Sequence, residues 1–331
     1  MSLQNRSIGD ILGKNTPAIL EDVGDWRFTS NVGVEVEVEN FNWNAPQDLT
    51  HWQFTSDSSL RNNGAELISR ILSGRNVYRA VHDLSEYFKE HQENAEFSER
   101  TSLHVHLDIT DLTLPQLKNF VYLCLGIEPL LMSCVSDSRI NNNFCLEIKH
   151  ANAVTERLSS LFHSTNGDDV SHRLSCITPS GYKYAATNFA NMGRLGTVEF
   201  RMHHGTADKQ EILTWISVLS AVKRMALNYE SVEAIRSAKV NQDLAVLFCE
   251  MLADIPTFSL DLQEVIEILE DSFEYANDLN KQSSGVSTRM LDAFRIQPEE
   301  SEEPAPAHMP EPATLQQRLN RLRQSYNSIG A

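Results

Sequence analysis

The chain has 331 residues, 41% of them apolar, which is enough to bury one large hydrophobic core or two modest ones. Its 45 acidic and 28 basic residues give a formal net charge of −17, which argues against nucleic acid or an anionic membrane as partners, since both require clustered Lys and Arg. The sequence also lacks a run of ~20 apolar residues, a secretory signal and a CxxC pair, so we expect a cytoplasmic protein with free thiols.

Two patterns of apolar residues divide the chain into a sheet region and a helical region. Residues 1–31 form a lead-in with turn signals, and residues 32–206 form the predicted catalytic sheet core with inserted helices. Alternation of apolar and polar residues predicts about six strands, which lie within 32–70 and at 101–109, 182–190 and 196–203. Helical periodicity predicts helices at 76–92, 113–135 and 151–162, and then a helical region, 207–297, that packs on the core. The predicted fold class is α+β.

The C-terminal part of the sequence changes in character. Residues 298–312 are acidic, rich in proline and poor in apolar residues, which predicts a disordered linker. Residues 313–331 follow as a terminal amphipathic helix with Leu315, Leu319 and Leu322 on one face. We expect this helical extension to dock on its own body, on a second copy in a homo-oligomer or on a partner protein.

Four of the predicted strands combine an apolar face with a face of carboxylate, imidazole or guanidinium groups, because residues two apart in a strand share a face. The polar residues of these strands are Glu35, Glu37 and Glu39, Glu66, His104 and His106, and Glu199, Arg201 and His203. If the strands form one sheet, these acids repel each other unless a cation lies among them. Carboxylate and imidazole ligands suit Mg²⁺ or Mn²⁺, so the sequence predicts a divalent metal site.

The motifs that carry these residues occur in a recognisable order. They are GVEVE at 33–37, DSSL and GAELIS within 57–69, LHVH at 103–106, and VEFR followed by GT within 198–206. This ordered set resembles the amidoligase-type carboxylate–amine ligases, relatives of glutamine synthetase and glutamate–cysteine ligase, over about residues 32–220. The resemblance implies a curved, mainly antiparallel sheet that forms half a barrel and is backed by helices. It also implies ATP and divalent cations as cofactors, and an amide or isopeptide bond made through an acyl phosphate.

The resemblance also implies roles for individual residues. The implied metal ligands are Glu35, Glu37, Glu66, His104 and Glu199. Arg201, which follows Glu199 by two residues, is implied to face the transferred phosphoryl group, and these two residues are the implied catalytic pair. His106 is implied to lie near the nucleotide or at the edge of the metal site. Glu39 has no counterpart in the family, and we expect it at the surface or behind the ligands.

Several other residues are candidates for binding or have a structural explanation. Arg139 and Lys183 are candidates to pair with the substrate carboxylate or a phosphate group of the nucleotide. His203 and His204 precede a Gly-Thr pair and a predicted helix, so we expect them to cap that helix, and we expect Trp215 to lie in the core. The sequence contains neither GxxxxGK[ST] nor GxGxxG, so metal ions and arginine are left to hold the phosphates.

Two alternatives to a ligase remain open at this stage. One is an ATP-independent metal enzyme that uses the His104–His106 strand and a transition metal. The other is a non-catalytic scaffold or assembly protein that keeps the fold and binds a partner through its acidic tail and terminal helix. If the chain is a ligase, its acceptor is either a small amino acid or a peptide or protein side chain.

Overall fold

The computed structural model describes residues 6–15, 28, 30–140, 142–148, 158–164, 167–177, 184–240, 245, 248–249 and 262–281. Within these ranges the chain is a mixed helix and sheet protein, as the alternation and the helical periodicity predict. Among the helices described, none is both long enough and apolar enough to cross a membrane.

Six strands of the described part form one open sheet in the order β2-β3-β1-β4-β6-β5, and every neighbouring pair is antiparallel. The strands are β1 (Val32–Val38), β2 (Trp52–Ser56), β3 (Ala65–Ser69), β4 (Ser102–Asp108), β5 (Thr187–Asn188) and β6 (Thr197–His204). The turn between β2 and β3 contains Asn62 and Asn63, whose φ angles of 51° and 58° are tolerated by asparagine. Because β1 and β4 lie at the centre of the sheet, their acids and histidines do so too.

Besides a short 3₁₀ helix at Asp137–Arg139, eight α-helices have both ends within the described part of the chain. They are α1 (Ile8–Leu12), α2 (Arg75–His91), α3 (Leu114–Ser133), α4 (Gly167–Cys176), α5 (Asn191–Leu195), α6 (Lys209–Leu227), α7 (Val232–Val240) and α8 (Leu262–Lys281). Helix α3 begins at a capping box in which Thr113 and Gln116 exchange side-chain to backbone hydrogen bonds, with a proline in its first turn.

The hydrophobic core lies between the apolar face of the sheet and the helices. Alternate residues of the central strands are fully buried there: Val34, Val36, Leu103, Val105 and Phe200. Helix α6 contacts β4, α2 and α3 pack against α6, and α8 packs on α3. At this last contact Gly126 leaves room for the ring of Phe273, which an added Cβ would overlap. The polar side chains of the same strands point away from this core.

The structure departs from the sequence prediction at the fifth strand. Within the described residues, the strand predicted at 182–190 is reduced to Thr187–Asn188, and Ala185 makes an isolated parallel bridge to Leu146. Such a short edge strand has few ladder hydrogen bonds, so alternation alone overestimates its length. Residues 151–157 of the predicted helix, the linker at 298–312 and the terminal helix at 313–331 lie outside the described residues.

Candidate functional site

The register of the sheet aligns the polar residues of neighbouring strands. Across β1 and β4, Glu35 lies opposite His104, and across β1 and β3, Glu37 lies opposite Glu66. Across β4 and β6, His106 lies opposite Glu199. Directly opposite residues of an antiparallel pair project from the same face, so these side chains gather on the polar side of the sheet.

Glu35 lies between the two histidines of β4. Its Oε2 is 3.0 Å from Nδ1 of His104, and its Oε1 is 3.3 Å from Nε2 of His106. Burial raises the pKa of Glu35, but hydrogen bonds from the two imidazoles outweigh this effect and hold the pKa well below its usual range. Glu35 is therefore an ionised carboxylate at neutral pH.

Two groups of metal-binding atoms meet at Glu35. The first group is Glu35, Glu66 and His104, and the second is Glu35, His106 and Glu199. In each group, one ligand atom from every residue lies within 4.8 Å of the others. A carboxylate has two oxygens, so Glu35 is able to serve a cation in each group.

Burial and the crowding of acids in this arrangement raise the pKa of Glu66. Burial raises the pKa of Glu66 to about 8, with further contributions from the negative charges of Glu35, Glu37 and Asp57. Without a cation, Glu66 therefore holds a proton at neutral pH. A divalent ion among these oxygens removes the repulsion and allows Glu66 to ionise, which is the behaviour expected of a metal ligand.

Ser102, at the start of β4, fixes the position of Glu37. Both the backbone N–H and the hydroxyl of Ser102 donate to Oε2 of Glu37, at 3.0 and 2.5 Å. The same hydroxyl lies 2.6 Å from Nε2 of His104. Nε2 of His104 is in turn 3.8 Å from Oε1 of Glu37, so Glu37 borders the first group of ligands.

Glu199 is held by two asparagines and by Arg201. The side-chain amides of Asn188 and Asn191 donate to Oε2 of Glu199 at 2.8 and 2.7 Å, and Nη1 of Arg201 donates to Oε1. The same Nη1 is 3.4 Å from Nδ1 of His104. Burial lowers the pKa of Arg201, but the charge and hydrogen bond of Glu199 outweigh it, so the guanidinium stays charged.

A cavity of about 410 Å³ adjoins this cluster on the Gly33 side. Its polar lining includes Glu35, His106 and Asp108, and Ile71 and Leu195 contribute apolar surface. These two apolar side chains are 64% and 44% exposed, which is high for their type. Lys14, beyond helix α1, also lines the cavity, and its ammonium donates to the backbone carbonyl of Arg194 at 2.8 Å.

The structure brings together Glu35, Glu37, Glu66, His104, His106, Glu199 and Arg201, all of them site residues predicted from the sequence. Arg139 lies next to Arg201 but is fully buried, and its guanidinium donates to the backbone carbonyls of Glu99, Arg201 and Met202. Burial lowers the pKa of Arg139. Arg139 therefore supports the backbone of β6 in this structure. Lys183 lies outside the described residues.

Of the smaller expectations, one is narrowed, one is wrong and one is confirmed. Glu39 is not at the surface, which was one of the two places expected for it: it is buried, and its carboxylate accepts a hydrogen bond from the backbone N–H of Arg61 at 2.8 Å. His203 and His204 do not cap α6, because Asp208 accepts the hydrogen bond from Glu211 N at the start of that helix. Trp215 is buried in the core as expected.

Sequence reasoning missed several residues that complete the site. Asn191 lies on a short helix and carries no motif, although Asn188, three residues before it, ends the tyrosine-rich segment that precedes β6. Ser102 lies on the same face of β4 as His104 and His106, because residues two apart in a strand share a face. This alternation was the signal that could have identified Ser102 from the sequence. Nothing in the sequence indicated Lys14, because its approach to the cavity depends on how α1 packs.

Comparison with known proteins gives one family for this region. A family model described as "Putative amidoligase enzyme" matches residues 23–223, which is more than half of the chain. A search of curated proteins found no significant match. The matched region contains all the strands of the sheet and every residue of the Glu35 groups. The chain therefore belongs to the amidoligase family.

Proposed function

We propose that this protein is a cytoplasmic, ATP- and Mg²⁺-dependent ligase that joins a carboxylate to an amine through an acyl phosphate. The observation that carries the proposal is the position of Glu35, which belongs to both ligand groups while Arg201 lies beside Glu199. Two adjacent cation positions next to a mostly buried arginine would suit the transfer of a phosphoryl group. The same proposal includes a curved half-barrel sheet like that of glutamine synthetase.

The donor set suits a hard divalent cation. Glu35, Glu66 and His104 would hold one Mg²⁺ or Mn²⁺, and Glu35 and Glu199 would hold a second next to His106. When bound, the cations neutralise the triphosphate and the substrate carboxylate, so that two anions are able to approach each other. The raised pKa of Glu66 supports this assignment, because the cluster needs positive charge to be fully ionised.

The cavity beside Glu35 is the proposed place for the nucleoside of ATP. Ile71 and Leu195 suit the faces of a base, and Lys14 adds a positive charge at the same cavity. His106 borders both the cavity and the second ligand group, so it would contact the phosphates. Lys183 is a further proposed contact to the nucleotide, on the basis of the sequence alone. Arg139 is not among the proposed nucleotide contacts, because its guanidinium already donates to backbone carbonyls.

The proposed reaction has two displacements. An oxygen of the substrate carboxylate attacks the γ-phosphorus, and the bond to the β-phosphate oxygen breaks to release ADP. The amine nitrogen then attacks the acyl carbon, loses a proton, and the carbon–oxygen bond to phosphate breaks. Arg201 stabilises the charge that develops on the phosphoryl oxygens, and Glu199 orients Arg201 through their ion pair.

The acceptor and the macromolecular partners belong to the same proposal. Both a free amino acid and a peptide or protein side chain are compatible with the open, polar face of the sheet. The terminal amphipathic helix at 313–331 is proposed to bind a second copy or a partner protein, which would also provide a way to deliver a macromolecular substrate.

The experiment that tests the function is a phosphate-release assay on the full chain with Mg²⁺, ATP and pools of amino acids or peptides. We expect release that depends on a pool, and hydroxylamine should trap the acyl phosphate as a hydroxamate. Glu37→Ala and Arg201→Ala variants, purified in the same way, control for contaminating ATPase. Pool-dependent release that is equal in wild type and both variants would contradict the proposal. So would a purified protein that contains a transition metal in the Glu35 cluster and never releases phosphate.

A further inference from the structure

A second cluster of metal-binding side chains lies where β6 ends and α6 begins. His203, His204 and Glu211 each offer a ligand atom within 4.8 Å of the other two. None of the three belongs to the Glu35 groups, and the proposed ligase reaction gives them no role. Capping does not explain the histidines either, because Asp208 caps α6.

The two histidines are neighbours in the chain, yet their rings lie side by side. Successive residues of a regular strand point to opposite faces of the sheet. Here the ring centroids of His203 and His204 are 4.4 Å apart, with 23° between the ring planes. The pairing of β4 with β6 is irregular just before this point, with a register shift between Leu103 and Val105. The end of β6 thus presents two imidazoles together.

Hydrogen bonding prepares His203 as a ligand. Its Nδ1 lies 2.8 Å from the backbone carbonyl of His204, which only accepts, so Nδ1 carries a proton. This hydrogen bond leaves Nε2 as the ring nitrogen that is available to a metal ion. A neutral imidazole with its other nitrogen bonded to a carbonyl is the usual form of a histidine metal ligand.

His204 and Glu211 complete the cluster. Nε2 of His204 is 2.8 Å from Oε1 of Glu211. Nδ1 of His204 is buried and has no hydrogen-bond partner among the described residues. A proton between His204 and Glu211 joins only two of the three donors, whereas one divalent cation joins all three.

We propose that His203, His204 and Glu211 bind a transition metal ion of the zinc class, at a site separate from the Glu35 cluster. Two imidazoles and one carboxylate form a known Zn²⁺ ligand set with a fourth position open, and imidazole favours Zn²⁺ over Mg²⁺. The side chains of His204 and Glu211 are 27% and 31% exposed, so solvent reaches this position. Tetrahedral bonds of about 2.0 Å separate ligand atoms by roughly 3.3 Å. The contact between His204 and Glu211 therefore widens slightly on binding.

The test uses the full chain, stripped of metal and titrated with Co²⁺ in excess Mg²⁺, which occupies the hard-cation site. Four-coordinate Co²⁺ absorbs far more strongly in visible light than six-coordinate Co²⁺, so its spectrum reports the geometry. We expect a single equivalent of four-coordinate Co²⁺ that Zn²⁺ displaces, in wild type and in a Glu35→Gln control. We expect His204→Gln and Glu211→Gln to weaken binding by more than the roughly 10- to 100-fold that follows loss of a group supporting a ligand.

The choice of variants keeps the test independent of folding. His203 is almost fully buried, so its replacement risks misfolding, whereas His204 and Glu211 are partly exposed. Thermal unfolding of each metal-free variant confirms that it is folded. Absence of the four-coordinate spectrum from wild type would overturn the proposal. A spectrum that survives in both cluster variants and disappears in Glu35→Gln would overturn it as well, because the ion would then lie in the Glu35 cluster.

Discussion

Glu37 and Glu66 lie directly opposite each other in the β1–β3 pair. Like charges in this position destabilise a sheet, and here burial adds to the effect by raising the pKa of Glu66 to about 8. Glu35 and Asp57 contribute negative charge from nearby. The polar face of the sheet is therefore electrostatically unfavourable on its own, and a bound cation would relieve this cost.

The first prediction concerns this repulsion. We expect Glu66→Gln to stabilise the metal-free protein at neutral pH by about 1–3 kcal/mol, because buried Glu66 must take up a proton that the unfolded chain does not bind, and Gln has no such cost. The same variant should gain less stability from Mg²⁺ than wild type does, because a ligand is lost. Calorimetric unfolding with a chelator and with Mg²⁺ measures both effects. Glu93→Gln, at an exposed turn, is the matched control, and a less stable metal-free Glu66→Gln would contradict the prediction.

Arg201 is predicted to act in phosphoryl transfer. Arg201→Ala should lower kcat by on the order of 10³, the effect of losing such an arginine in other phosphoryl-transfer enzymes. Arg201→Lys should recover only part of the rate, because lysine keeps the charge and loses the planar set of donors that reaches Glu199 and a phosphate together. Steady-state phosphate release gives both values. A full rate in Arg201→Lys would show that only the charge matters.

Gly33 offers a direct test of the cavity. A Cβ added at Gly33 meets only the side chain of His106, at an ordinary 3.5 Å, so Gly33→Ala should fold and keep its activity. Gly33→Leu should fill part of the cavity and raise the KM for ATP roughly tenfold, since overpacking of this kind costs about 1–3 kcal/mol. Initial rates at varied ATP separate the two variants. An unchanged KM in a folded Gly33→Leu protein would place the nucleoside elsewhere.

Asn191 is predicted to position Glu199. Asn191→Ala removes the 2.7 Å hydrogen bond to Oε2 and leaves the one from Asn188, so Glu199 keeps its charge and loses part of its orientation. We expect the Mg²⁺ concentration for half-maximal activity to rise roughly tenfold. Asn142→Ala removes amide hydrogen bonds to the backbone carbonyls of Glu99 and Ser138, not to Glu199, and is the control. Equal Mg²⁺ dependence in the two variants would argue against the assignment.

Glu128 is predicted to make stability depend on pH. It is buried on α3, and its carboxylate accepts hydrogen bonds from Ile148 N and Thr187 N at 2.6 and 3.0 Å. Burial raises its pKa from 4.5 to about 7. The folded state thus binds this proton more tightly than the unfolded chain, so the stability it provides is complete below pH ~4.5 and is lost as the pH rises to ~7.

A substitution isolates the contribution of Glu128 from that of the other titrating groups. Glu128→Gln cannot ionise, so the difference in unfolding free energy between wild type and variant should change in favour of the variant as the pH rises from ~5 to ~7.5. Urea unfolding across this range gives the difference directly. Parallel pH profiles for the two proteins would mean that Glu128 has an ordinary pKa in the folded state.

The sequence by itself determined which residues share a face. Alternation has a period of two in any strand, so Glu35 and Glu37, and likewise His104 and His106, were certain to project together once these segments formed strands. The valines and leucines between them likewise had to face the core. These properties follow from local backbone geometry, and the order of the motifs was enough to indicate the family.

Only the tertiary structure decided the register between the strands and the contacts between residues far apart in the chain. A slip of two residues between β1 and β4 would keep every side chain on its face but move Glu35 from His104 to Ser102 or His106, and alternation does not distinguish these registers. The burial of Arg139 under the backbone of β6, 62 residues away, depends on the same long-range packing. The contact between the rings of His203 and His204 also depends on this packing, whereas alternation predicts that the two rings point to opposite faces of the sheet. Such contacts depend on packing free energies between segments far apart in the chain. The local pattern of side chains contains no information about them.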